Sequence, residues 1–137
     1  MSGKFSLDHI ICVGASAGGL EPLQEFLAEL HEVNGCAIIV AQHLSPNYKS
    51  MMVDLLGRKT NLSVIEAKDG AFLEENTVYT TPPDKDILLN GETIVLKPTS
   101  PQGPHPNVDG LFESAAENFG DRAVGVVLSG TGKDGSK

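Results

Sequence analysis

Three short apolar runs, His9–Val13, Cys36–Ala41 and Ala123–Leu128, constrain this 137-residue chain more than any other feature. Each is apolar at nearly every position rather than at alternate ones. The first and last run straight into glycine-rich segments, and the second into a polar one. A strand with one wet face alternates in polarity. A strand apolar throughout buries both faces, as in a parallel sheet covered by helices on either side. The three runs therefore read as doubly buried parallel strands of an α/β domain.

The intervening sequence supplies the helices. Leu20, Leu23, Leu27 and Leu30 recur at helical spacing, Phe26 widens the stripe, and Pro22 falls in the first turn, where its missing N–H costs little. Tyr48, Met51, Met52, Leu55 and Leu56 mark a second helix. A third is expected from Val108, Leu111, Phe112, Ala115, Ala116 and Phe119, with Asn107 placed to cap its start and Gly120 to end it. The middle of the chain differs. Val64-Ile65, Thr77–Thr80, Ile87–Leu89 and Thr93–Leu96 read as short strands. Asn90-Gly91, between the last two, signals a two-residue hairpin and hence a small antiparallel insert. The expected fold is a doubly wound, mainly parallel, Rossmann-like sheet with that hairpin inserted. A parallel strand normally leads into a covering crossover helix, yet the sequence stops at Lys137. It is expected to be a single domain, residues 1–137, lacking its C-terminal part and with one sheet flank uncovered.

Charge narrows the partners. Ten Lys and Arg against 18 Asp and Glu give a net charge of −8, which disfavours nucleic acid and anionic membranes, since both demand basic patches. Cys12 and Cys36 lie in apolar runs without metal-ligand spacing and read as buried core thiols, so neither a metal nor a cofactor is expected. No apolar run approaches the roughly 18 residues that span a bilayer, and no signal peptide is recognisable, so the expected location is the cytoplasm.

Gly14-Ala-Ser-Ala-Gly18 matches G-x-S-x-G between a predicted strand and a predicted helix. Small neighbours permit the tight turn that exposes the Ser16 hydroxyl near a helix N-terminus. The same serine would serve equally as a plain helix cap. A nucleophile needs a base and an orienting acid. His43 directly follows the second predicted strand, and Asp134 lies in the glycine-rich loop after the last. Loops leaving the carboxyl ends of parallel strands gather on one sheet edge, so Ser16, His43 and Asp134 are expected to converge there. His9 should lie at the opposite edge, His31 at a helix end and His105 in the Pro-rich loop; Asp84, Lys85 and Asp86 suit a solvated turn, and Asp109 a helix first turn. A dinucleotide site is disfavoured twice: Ser16 stands where a glycine is wanted, and no acid follows Ala41-Gln42.

At these loops the sequence resembles the catalytic domain of the chemotaxis protein-glutamate methylesterases, the CheB type. The motifs read GASAGG (Gly14–Gly19), AQHLSP (Ala41–Pro46) and LSGTGKDGSK (Leu128–Lys137), joined by VYTTPPDKDILL (Val78–Leu89) and HPNVDGLFESAAE before and within the third helix. The resemblance implies Ser16 as nucleophile, His43 as general base and Asp134 as the acid orienting the imidazole, with backbone amides at Ala17 and Thr131 forming the oxyanion hole. It implies hydrolysis of glutamate γ-methyl esters on the cytoplasmic helices of chemoreceptors, releasing methanol, with deamidation of receptor glutamines as a companion activity. Thr131 stands where family members commonly carry methionine. The SGTG form is more like versions fused to a methyltransferase, which makes a methyltransferase domain or partner a further implied associate. A receiver domain ahead of the first predicted strand, and with it control by phosphorylation in cis, is not expected. The competing reading is a catalytically silent receptor- or partner-binding module with the same fold.

Overall fold

The structure, a computed structural model, describes residues 7–15, 21–30, 35–42, 52–58, 60–82, 85–98 and 108–128. Strands β1 (His9–Ala15), β2 (Cys36–Gln42), β3 (Ser63–Glu66), β4 (Thr77–Thr80) and β7 (Ala123–Leu128) form one sheet in the order β3-β4-β2-β1-β7, all neighbours parallel. Strands β5 (Lys85–Asn90) and β6 (Thr93–Pro98) pair antiparallel as a separate hairpin. Of the four short strands read from the middle of the chain, the first two thus extend the parallel sheet, and the last two alone make the insert.

Side chains alternate across the sheet and seed a core on each face. On one, Leu23 and Leu27 of helix α1 (Glu21–Glu29) and Leu56 of helix α2 (Met52–Gly57) pack against Val13, Ile38, Val40 and Val78. On the other, helix α3 (Val108–Phe119) lays Leu111, Ala115 and Phe119 beside Ile10, Cys12, Ala37, Ile39 and Tyr79, together with Ile87, Leu89 and Ile94 of the hairpin. Helices on both faces of a parallel sheet make the domain doubly wound. Leu111 is fully buried and Gly120 ends α3 at φ +58°, the left-handed conformation that glycine adopts cheaply. Ala116 faces solvent, so the apolar stripe is narrower than the sequence pattern. Asn107, Leu20, Tyr48 and Met51 lie outside the described residues.

The hairpin is stitched to α3 by side chains. Leu89 N–H donates to Ser114 Oγ at 3.0 Å; Asn118 Nδ2 donates to the Leu89 carbonyl at 3.1 Å, while Asn118 Oδ1 accepts from Gly91 N–H at 2.7 Å. Asn90 pairs directly with Thr93, so the two-residue turn is Gly91-Glu92, one position later than the Asn-Gly signal suggests. Gly91 takes φ +60° and Glu92 does not take a positive φ, a pattern that suits glycine at the first turn position. Lys85 and Asp86 open β5 rather than forming a turn.

Two further expectations are corrected. Ala123–Leu128 is parallel but not doubly buried: among the described residues β7 pairs with β1 alone, and Val124 is 41% and Val127 74% exposed. An apolar run reports strand propensity, whereas double burial requires a layer packed on each face of the sheet at that strand. Cys12 is buried as expected, but Cys36 is only half-buried because it opens β2 at the sheet's rim. Among the described residues, no helix is long and apolar enough to cross a membrane.

Candidate functional site

The candidate site is built from the carboxyl ends of three adjacent strands. Ala15, the last residue of β1, pairs with Gln42, the last of β2, and with Leu128, the last of β7. The described parts of the three strands reach the same register, and Ser16, His43 and Ser129 are the residues that follow them in the sequence. Parallel neighbours lie about 4.8 Å apart, which places the three exits within about 10 Å of each other. From β1 the chain moves one way to β2, and it returns through α3 to β7 on the other side of β1. The exits of β1 and β7 therefore flank the switch point where open α/β sheets form their ligand crevice. Ser16, Ala17, His43, Thr131 and Asp134 themselves lie outside the described residues, as do His31, Asp84 and His105. His9 opens β1 at the opposite edge, as expected, and Asp109 lies in the first turn of α3.

What holds this edge was only partly visible in the sequence. Gly14 belongs to β1 and needs no left-handed backbone; its smallness serves the close approach of α3. A Cβ at Gly14 would fall 2.6 Å from Val108 Cγ1 and 2.9 Å from Cγ2, so the first residue of α3 rests on the strand two residues before Ser16. Gly125 plays a similar part in β7, where a Cβ would meet the Phe112 ring at 3.1 Å. Beyond β2, the Thr81 hydroxyl donates to the Val40 carbonyl at 2.6 Å, joining the segment after β4 to the strand that leads into His43. Tyr79 stands behind this edge. Its phenol accepts from Glu74 N–H at 2.8 Å and donates to the Phe72 carbonyl at 3.4 Å, tying the 67–76 loop to β4. Burial raises the Tyr79 phenol above its ordinary range.

The thiols take no part here. Burial pushes Cys12 up to about 12, so it stays protonated at neutral pH, and partial burial with Asp8 nearby raises Cys36. Among the described residues no group of three His, Cys, Asp or Glu side chains is arranged to hold a metal ion.

An open parallel sheet with helices packed on both faces defines a doubly wound α/β domain. The family model for the CheB methylesterase matches residues 11–137, so the chain belongs to that family. Curated relatives include a protein-glutamate methylesterase/protein-glutamine glutaminase of Rhizobium johnstonii, 35% identical over 135 residues, covering 95% of this chain and 37% of the relative. One of Salmonella typhimurium is 35% identical over 136 residues, covering 96% and 39%, and one of Methanosarcina mazei is 32% identical over 142 residues, covering 97% and 39%. The chain thus spans well under half the length of these relatives. Among solved structures, the Thermotoga maritima CheB methylesterase catalytic domain superposes with a TM-score of 0.75 at 26% identity, covering 88% of this chain and 66% of that one.

Proposed function

We propose that this chain carries the catalytic machinery of a serine-type protein-glutamate methylesterase acting on methylated chemoreceptors, in the cytoplasm. The observation that supports it most is the common register of Ala15, Gln42 and Leu128, the strand residues just before the sequence segments that carry Ser16, His43 and Asp134. Membership of the CheB methylesterase family supports the choice of substrate.

In this reading His43 takes the proton of Ser16 as its Oγ attacks the ester carbonyl of a γ-methyl glutamate. Asp134 holds the imidazole in the right tautomer and stabilises its charged form. Backbone amides of Ala17 and Thr131 receive the developing oxyanion, each donor lowering the barrier by about 3 kcal/mol. The imidazolium passes its proton to the departing methoxide, so methanol leaves and an acyl-Ser16 remains. Water, deprotonated by His43, then cleaves the acyl bond and restores the serine. With a glutamine side chain the same sequence would release ammonia.

Methanol release from a peptide bearing a glutamate γ-methyl ester, run beside fluorophosphonate labelling of Ser16, tests the reading. Turnover and labelling that both vanish in Ser16→Ala are expected. A folded chain that binds the peptide but neither turns it over nor takes the label would establish the silent binding module instead.

A further inference from the structure

Backbone pairing between β2 and β4 ends at Val40 opposite Thr80, while β2 runs two residues further, through Ala41 and Gln42. That overhang is still paired to β1 on its inner side, Ala41 with Gly14 and Gln42 with Ala15. On its outer side the ladder has stopped. There the Thr81 hydroxyl, the first side chain beyond β4, donates to the Val40 carbonyl at 2.6 Å, the short end of the O–H···O range. Val40 is completely buried and Thr81 half-buried, so water competes poorly for this bond. One hydroxyl thus does for the outer edge of β2 what the backbone does elsewhere, three residues before His43.

We propose that Thr81 is a positioning residue for the reaction: by holding the Val40 carbonyl, its hydroxyl fixes the end of β2 that precedes His43 in the sequence, and so sets how well the imidazole meets the serine. The inference rests on the role given to His43 above. A general base must lie within hydrogen-bond reach of the proton it takes, and a misplacement of about 1 Å can cost on the order of 100-fold in rate. Losing one of two lateral supports should displace the overhang by less than that.

Thr81→Val keeps the branched shape and removes the donor, whereas Thr81→Ser keeps the donor. The readouts are methanol release from a γ-methyl glutamate peptide, the rate of Ser16 labelling by a fluorophosphonate, the acid limb of the pH–rate profile, and the melting temperature. Thr81→Val should lower kcat and the labelling rate about tenfold, with KM changed less than twofold and the acid limb displaced. Thr81→Ser should stay within about twofold of the parent on each kinetic readout. Should Thr81→Val not fold, Thr81→Ala is read the same way.

An unmoved kcat and acid limb in the valine variant would overturn the proposal, as would an equal loss in the serine variant, or a loss in rate accounted for by unfolding with the acid limb unchanged. Ser16→Ala and His43→Ala serve as references. If either retains full turnover, the proposed function itself fails; if both are dead while Thr81→Val is unaffected, only the positioning role fails.

Discussion

Gly14→Ala is the sharpest test of how the site edge is assembled. The new methyl would sit 2.6 Å from Val108 Cγ1, 2.9 Å from Cγ2 and 3.3 Å from Cβ. Carbon atoms in good contact stand roughly 3.5–4.0 Å apart, so the overlap is about 1 Å with each branch. Rotating Val108 relieves little, because a valine in a helix strongly prefers one χ1 and both of its γ carbons face the strand. The remaining escape is to lift the start of α3 off β1. Overpacking of this kind costs about 1–3 kcal/mol, equivalent to a fall in melting temperature of about 4–12 °C for a domain this size. Val108→Ala removes both clashing carbons and leaves only the 3.3 Å approach, which a shift of a few tenths of an ångström relieves. In a double-mutant cycle followed by urea denaturation, Gly14→Ala/Val108→Ala should be more stable than the sum of the single changes implies, by about 1–2 kcal/mol, at constant m. Strict additivity, or a Gly14→Ala protein as stable as its parent, would refute the close-approach argument.

Fluorophosphonate should modify Ser16 and no other serine, as read by peptide mass spectrometry; label elsewhere with Ser16 untouched contradicts the role of nucleophile given to Ser16. Asp134→Asn should leave the melting temperature nearly unchanged while cutting methanol release by on the order of 10⁴-fold, since an amide favours the wrong imidazole tautomer. Because burial raises the Cys12 thiol from 9.0 to about 12, the unfolded chain ionises first as pH rises. The stability Cys12 contributes is therefore intact below pH 9 and declines by about 1.4 kcal/mol per pH unit from there toward the folded value. Subtracting the same urea series for Cys12→Ala should isolate that slope, and parallel pH dependences in the two proteins would exclude it.

The parts of the fold legible in the sequence were those written in continuous local pattern. The apolar runs of β1, β2 and β7 and the stripe of α3 each announce themselves within a dozen residues, and the parallel pairing of the three strands follows from those runs. What escaped depends on partners far along the chain. Nothing around Val124 or Val127 tells how far each is covered, because exposed and buried strands draw on the same apolar residues. Nothing near Thr81 reveals that its hydroxyl ends up on Val40, and the need for Gly14 is set by Val108, which arrives only after the whole hairpin. The hairpin turn was misplaced by one residue because Asn-Gly is favoured as a central pair, whereas here Gly91 takes the first central position by itself and Asn90 remains in the ladder.

The bonding of Asn118 carries a mechanical consequence. Its carboxamide offers the hairpin one donor and one acceptor, as a peptide unit of a third strand would, so that β5 and its turn are finished off by a helix side chain. A two-stranded ribbon of this length is marginal by itself in water. Here α3 holds one side of it, and the 70–73 segment holds the other, with Gly70 N–H donating to the Ile94 carbonyl, Ile94 N–H to the Ala71 carbonyl and Leu73 N–H to the Glu92 carbonyl. Because α3 begins against Gly14, the helix that completes the ribbon at Asn118 also rests, at Val108, on the strand that leads into Ser16.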